Sequence, residues 1–150
     1  LGHYHHLDVI NKVRACGSIP AFLEQYRIET GIMAAAFGKG IPVVLAGSIR
    51  DDGPLPEVIA NVYEAQDRMR QVVRKATTVI AMATQLHSIA VGNMTPSYRV
   101  VDGRGRPTFF YTVDASEFAV NKLRDRGSLS VTTVVTNVQD FVTRLSARLP

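Results

Sequence analysis

The sequence has a single cysteine, Cys16. No internal disulfide framework can form, and the chain reads as a protein of a reducing compartment, the cytoplasm. It has no uncharged apolar run of about 18 residues, which leaves nothing to span a bilayer as a helix. Its opening, LGHYHHLDVINKVR, lacks the basic start and apolar stretch of a secretory signal. It also lacks an initiator methionine and opens in what reads as a helix. The expectation is a piece of a longer protein whose N-terminal part is missing. Aromatics are few, at 7%, and do not track the basic groups at 68–75, 99–106 and 122–126, each of which has Asp or Glu nearby. Nucleic-acid binders gather basic charge on one face with aromatics interleaved, so nucleic acid is not an expected partner. The net charge of +4 suits an anionic small ligand equally well. There is no internal repeat, no Walker loop, no Ser-His-Asp elbow and no zincin helix. Gly38-Lys39-Gly40 precedes a strand-like run instead of following one, so it is not a dinucleotide turn. His3, His5 and His6 sit at a chain end, where three-ligand geometry is rarely held. They read as a solvated helix end, and no metal is expected. Cys16, beside Gly17 at a helix end, reads as a small, partly buried residue and not as a catalytic thiol.

What is present is the grammar of an α/β protein. The 150 residues, 46% hydrophobic and 20% charged, amount to about one domain with a real core. Segments 7–15 and 19–26 read as short helices split by Gly17-Ser18, with Pro20 in the first turn after a Ser18 cap. A third helix, 30–37, is stopped by Gly38 and Gly40. IPVVLA at 41–46 is a short apolar run, as a buried parallel strand reads. Segment 57–76 is a long amphipathic helix with Val58, Val62, Ala65, Met69, Val72 and Val73 at three- and four-residue spacing. The unit then recurs: strand 77–84 and helix 86–91, strand 108–114 and helix 116–126, strand 130–136 and helix 138–149. Alternating strands and helices imply a parallel sheet with right-handed crossovers. Residues 1–40 are expected to be a helical lead-in continuing from an upstream part, and 41–150 the parallel α/β domain.

In open parallel sheets, ligands bind beyond the carboxyl ends of the strands, where helix N-termini also offer free N–H groups to phosphates. Small and polar residues gather at all four expected ends: 47–53 (GSIRDDG), 84–88 (TQLHS), Asp114-Ala115-Ser116, and Thr136-Asn137-Val138. Each has an ordinary explanation. Gly47-Ser48 suits a tight turn, Asp51-Asp52-Gly53-Pro54 is turn and cap chemistry, Ser116 and Asn137 are good N-caps, and a lone His87 suits a structural hydrogen bond. Their coincidence at one sheet edge points to a dinucleotide site. Asp114 is the most telling, because a carboxylate ending a strand can accept the hydroxyls of a ribose and disfavours a 2′-phosphate.

At 45–56, LAGSIRDDGPLP, the sequence closely resembles the conserved C-terminal region of the LOR/SDH family. That family includes archaeal NAD-dependent ornithine cyclodeaminases and the C-terminal part of cyanobacterial arginine dihydrolase/ornithine cyclodeaminase proteins. The resemblance continues through EAQDRMR at 64–70, LHSIAVGNM at 86–94 and KLRDRGS at 122–128, and covers nearly all of 31–149. It implies a three-layer, Rossmann-like NAD-binding fold of the deoxyhypusine-synthase-like group. It also implies NAD contacts at Asp52, Thr84, Gln85, Leu86, His87, Asp114, Asn137 and Val138. Gln85 stands where an apolar residue is expected, Asn137 where the family usually has Asp, and Thr132-Thr133 where it has a more apolar pair. Segment 100–106 looks like an insertion, and the family's first nucleotide contacts fall upstream of Leu1.

The activity implied is conversion of L-ornithine to L-proline with loss of ammonia. Hydride leaves the amino-bearing carbon, the side-chain amine attacks the resulting imine, ammonia departs, and hydride returns to the cyclic imine. The cofactor carries that chemistry while the protein holds the partners together. Asp52 and His87 are candidate bases, and Arg50 could pair with a carboxylate or phosphate, but no residue is assigned a catalytic role. The expected partners are a small amino-acid substrate, an upstream domain of the same protein and further copies of the chain, with no membrane and no nucleic acid. The alternatives are a nucleotide-binding regulatory module without catalysis and an NAD-dependent amino-acid dehydrogenase of the lysine-degradation type.

Overall fold

The structure is a computed structural model that describes residues 2–47, 53, 55–124 and 130–149. The chain divides into two compact units, Leu1–Arg68 and Met69–Pro150. Among the described residues no helix is long and apolar enough to cross a membrane.

The first unit is built on three helices, α1 (Gly2–Cys16), α2 (Ile19–Gln25) and α3 (Ile32–Gly38). Val13, Ile19 and Phe22 form its buried core, with Cys16, Leu23, Ile28, Met33, Phe37, Leu45 and Leu55 packed around them. The helix boundaries follow from their caps. Gly17, at φ +81°, donates its N–H to the Val13 carbonyl at 3.0 Å and ends α1. Ser18 then starts α2, its hydroxyl accepting from the Ala21 N–H at 3.2 Å, with Pro20 in the first turn as expected. α3 ends in a Schellman turn at Gly40 (φ +63°). There the Gly40 N–H meets the Phe37 carbonyl at 3.1 Å and the Ile41 N–H meets that of Ala36 at 2.8 Å. The stop is Gly40, and Gly38 is the last helical residue.

The strand expected at 41–46 does not form. Ala46 makes one isolated parallel bridge to Ile59, through Ile59 N–H to the Leu45 carbonyl at 2.9 Å and Gly47 N–H to the Ile59 carbonyl at 3.2 Å. Pro42 has no N–H to give a ladder, and Leu45 packs on the helical core instead. The long helix is α4 (Val62–Val73), later in starting than 57. Asn61 sets that start, its Oδ1 accepting from the N–H groups of Tyr63 at 3.0 Å and Glu64 at 3.2 Å.

The second unit holds β1 (Thr78–Met82), α5 (Gln85–Met94), β2 (Tyr98–Val101), β3 (Arg104–Pro107), β4 (Phe109–Asp114), α6 (Glu117–Arg124), β5 (Val131–Val135) and α7 (Val138–Ser146). β1, β4 and β5 make a parallel sheet in that order, in register Thr78↔Phe109 to Met82↔Val113 and Phe110↔Val131 to Asp114↔Val135. The stretch that read as an insertion is an antiparallel hairpin of β2 and β3. Its two-residue turn, Asp102 (φ +52°) and Gly103 (φ +73°), has the left-handed pair of a type I′ turn.

β4 is the central strand. Phe110 and Thr112 share one face and Val113 lies on the other, by the two-residue alternation of strands; all three are buried. Both faces of the strand are therefore covered, which is the expected layering of helices about a parallel sheet. Thr112 Oγ1 donates to the Val120 carbonyl of α6 at 3.2 Å, fixing that helix over the first face. α5 packs on α6, and α7 lies against β4. The outer strands are less covered, with Ile80 of β1 and Val135 of β5 exposed. Burial on both faces therefore holds for β4 but not for its neighbours.

Candidate functional site

Three of the four expected strand ends come together. The Ala83 N–H donates to the Val113 carbonyl at 3.0 Å, and the Thr136 N–H donates to that of Asp114 at 3.0 Å. These bonds extend the two ladders one residue past β1 and β5. They set Thr84, Asp114 and Asn137 side by side along the carboxyl edge, on strands about 4.8 Å apart. The fourth end is different. Among the described residues, Gly47 bonds through its N–H to the Ile59 carbonyl as described above. Arg50 and Asp52 lie outside the described residues. Gly53 sits at φ +76°, and a Cβ there would come within 2.3 Å of Val58 Cγ1, so only glycine fits.

Each polar residue at the edge also closes its own backbone. Thr84 caps α5, its Oγ1 accepting from the His87 N–H at 3.3 Å. Gln85 and Leu86 are the first two residues of α5, where backbone N–H groups have no partner within the helix. His87 is half-buried one position on. Asp114 Oδ1 accepts from the Ser116 N–H at 2.8 Å in an Asx turn that leads into α6. One carboxylate oxygen is thus committed to the turn, and Oδ2 accepts no hydrogen bond from another described residue. Asn137 caps α7 in the same way, its Oδ1 accepting from the Gln139 N–H at 2.8 Å, with Val138 opening the helix. The cap expected of Asn137 is therefore real, Thr84 caps as well, and Asp114 closes a turn, while along this edge Asn137 is exposed and Thr84 and Asp114 are half-buried.

Three further residues shape the edge; Ala83 and Thr112 drew no notice in the sequence, and Ser88 only as the last residue of the TQLHS cluster. Ala83 joins β1 to Thr84 at φ +53°, a left-handed backbone rarely taken by a residue with a Cβ. Nothing in an apolar run ending in Ala-Thr signals that. Ser88 and Thr112 are buried hydroxyls that pack with Thr84 and Asp114 where the sheet meets α5 and α6, with no room there for a water-sized guest. Ser88 Oγ donates to the Thr84 carbonyl. A hydroxyl in the middle of the apolar FFYTV run was the available clue to Thr112. His3, His5 and His6 lie in the first turns of α1, exposed. Among the described residues no group of three or more His, Cys, Asp or Glu is placed to hold a metal.

Chemically, the edge offers α5 N–H groups with the partial positive charge of a helix start, the second carboxylate oxygen of Asp114, and small residues at 83 and 115 that let a ligand approach the backbone. That donor set fits a nucleoside diphosphate, with hydroxyls at the carboxylate and phosphate at the helix start.

Residues 1–145 match the model of a family described as arginine dihydrolase ArgZ-like, C-terminal, Rossmann fold. The chain is 47% identical over 141 residues to an ornithine cyclodeaminase of Methanothermobacter thermautotrophicus, covering 94% of this chain and 32% of that protein. Among solved structures, an LOR/SDH protein from Methanococcus maripaludis superposes with a TM-score of 0.80 at 41% identity, covering 96% of this chain and 40% of the other. The ternary complex of AgrE with ornithine and NAD+ superposes with a TM-score of 0.78 at 41% identity, covering 97% of this chain and 20% of that one. The chain therefore spans about a third of the length of that ornithine cyclodeaminase.

Proposed function

Since this chain belongs to the ArgZ-like, C-terminal, Rossmann-fold family, we propose that it is the NAD-binding part of an ornithine cyclodeaminase. The substrate is L-ornithine and the products are L-proline and ammonia. The observation that carries the reading is the alignment of Thr84, Asp114 and Asn137 on three adjacent parallel strand ends. It is supported by 41% identity to AgrE, a protein solved with ornithine and NAD+ bound.

Bound NAD+ supplies reversible hydride transfer at the amino-bearing carbon, so the overall reaction loses ammonia with no net oxidation. The chain's own residues hold and orient. The second Asp114 oxygen accepts a ribose hydroxyl, and the α5 start, at Gln85 and Leu86, faces the diphosphate. Thr84 keeps that helix start in place through its bond to the His87 N–H. Asn137 and Val138 close the far side, and Asp52 completes the proposed contacts. Asp114 selects NAD over its 2′-phosphorylated form by charge repulsion.

Turnover tests this directly. The protein, with whatever flanking sequence its gene encodes, is incubated with L-ornithine and NAD+. Proline and ammonia in equal amounts, with no net NADH, support the proposal. Accumulating NADH would point to the dehydrogenase alternative. A cofactor-induced rise in melting temperature with no proline would point to the regulatory module. In either case the cyclodeaminase reading fails.

A further inference from the structure

The parallel sheet of the second unit has the order β1-β4-β5, so the outer side of β5 pairs with no described strand. The Thr136 N–H donates to the Asp114 carbonyl. Backbone groups alternate in direction along a strand, so residues 132, 134 and 136 face β4, while Val131, Thr133 and Val135 turn their N–H and C=O groups outward. Natural proteins blunt such an edge with charge, proline or a bulge. The hairpin is protected in that way, by Arg104, Arg106 and Pro107 along β3. The β5 segment at 130–136, SVTTVVT, has no charge, proline or glycine. Six of its seven residues are β-branched, the composition that pairs most readily with another strand.

The charges of α7, the helix packed against this sheet, are the second observation. Asp140, Arg144 and Arg148 recur at four-residue spacing and line one open depression together with Val134 of β5. All three are exposed, and none forms an ion pair with another described residue. Asp140 and Arg144 do not pair even though they stand four residues apart on one helix, the spacing at which such pairs form. The opposite edge strand, β1, is packed by α5, which carries no Asp, Glu, Lys or Arg. Unpaired charge of both signs therefore accompanies the bare edge at β5 and not the one at β1.

We propose that two copies of the chain pair through β5 about a twofold axis, joining their three-stranded sheets into one. The axis passes through Thr133, perpendicular to the sheet, and sets the two β5 strands antiparallel. Val131 of each copy then exchanges backbone hydrogen bonds with Val135 of the other, and Thr133 with its own counterpart. The two copies of α7 lie on the same face of the joined sheet and also run antiparallel. The midpoint of α7, residue 142, lies halfway between Asp140 and Arg144. A twofold at that level brings Asp140 of each copy opposite Arg144 of the other. The operation that pairs the strands thus also matches opposite charges, twice over by symmetry. Nothing in this pairing draws on the proposed function.

The test is sedimentation velocity of the protein, with whatever flanking sequence its gene encodes, which should show reversible self-association. Thr133→Pro removes an N–H that the β4 ladder does not use, and Thr133→Lys puts a charge on the bare edge. Each should weaken self-association about tenfold or more, with an unchanged far-ultraviolet circular dichroism spectrum. Asp140→Arg and Arg144→Asp should each weaken it about tenfold, because two contacts per dimer change together. The double variant D140R/R144D should return to within about threefold of the parent, a recovery that damage to the fold would not give. Thr133→Cys should form a disulfide-linked dimer on mild oxidation, since hydrogen-bonded antiparallel partners hold their Cα atoms about 5.5 Å apart. The parent protein should not. A protein that stays monomeric overturns the proposal. So does an association that both Thr133 variants leave intact, or a double charge variant that associates no more tightly than the single ones.

Discussion

Replacing Asp114 separates the two jobs its carboxylate is given. Oδ1 closes the turn onto the Ser116 N–H at 2.8 Å, and Oδ2 is assigned to the ribose. Asn keeps an acceptor oxygen for the turn but removes the charge, whereas Ala removes both. A turn or cap bond of this kind is worth about 1 kcal/mol, so Asp114→Ala should lower stability by that amount and Asp114→Asn by only a few tenths. For the ligand, a hydrogen bond to a charged acceptor contributes about 1.5–3 kcal/mol and one to a neutral acceptor about 0.5–1.5 kcal/mol. Asp114→Asn should therefore raise the Kd for NAD+ about 5- to 15-fold and Asp114→Ala about 10- to 150-fold. Asp114→Asn should also narrow the preference for NAD+ over NADP+, since repulsion of the 2′-phosphate goes with the charge. Urea unfolding and isothermal titration measure the two effects separately. A folded Asp114→Ala that binds NAD+ as tightly as the parent would refute the ribose assignment. Equal destabilisation by Asn and Ala would refute the turn.

Three other substitutions test the same framework. Thr108 is buried, and its hydroxyl has no hydrogen-bond partner among the described residues. Thr108→Val keeps the shape and should stabilise by up to about 1 kcal/mol, read as a higher urea midpoint; a loss of stability would mean the hydroxyl is satisfied. Ala83→Gly should stabilise by about 1 kcal/mol by relieving the left-handed backbone, and Ala83→Val should destabilise by more than that, with the order of midpoints Gly, Ala, Val as the check. Asn137→Asp should keep the cap on α7 and add about 0.3–1 kcal/mol from the helix dipole at low salt. That gain should shrink on raising ionic strength, and a salt-independent change would point elsewhere.

Periodicity and caps carried most of the helices into view. Gly17 and Gly40 act through their own backbone and Ser18 through a hydroxyl bonded three residues on, so their signals are local and survive the absence of tertiary information. The central strand was legible because Phe110, Thr112 and Val113 are covered on both faces, which is what a continuous apolar run encodes. The 41–46 run has the same composition but packs against helices. Which neighbour an apolar segment finds is a tertiary matter that composition does not record. The hairpin was missed because a charged stretch rich in arginine and glycine carries little β-propensity, although Asp102-Gly103 is a strong turn pair. At the site, Thr84, Asp114 and Asn137 were visible as polar residues ending apolar runs. Ala83 and Thr112 were not, and Ser88 showed only as part of the TQLHS cluster, since their part depends on a backbone angle and on burial.

The hairpin also bears on how the second unit assembles. β1 must find β4 across the whole crossover from Met82 to Phe109, and closing a loop of that length is the slow, entropically opposed part of parallel pairing. β2 and β3 need only a two-residue turn, and hairpins form in about 1–10 μs. Once zipped, they bring Tyr98 beside Pro107, two residues short of β4. The effective loop is then shorter, which lowers its closure cost by roughly 0.4 kcal/mol. Loosening the turn with Gly103→Val should accordingly slow refolding more than it speeds unfolding, a pattern that stopped-flow chevrons resolve.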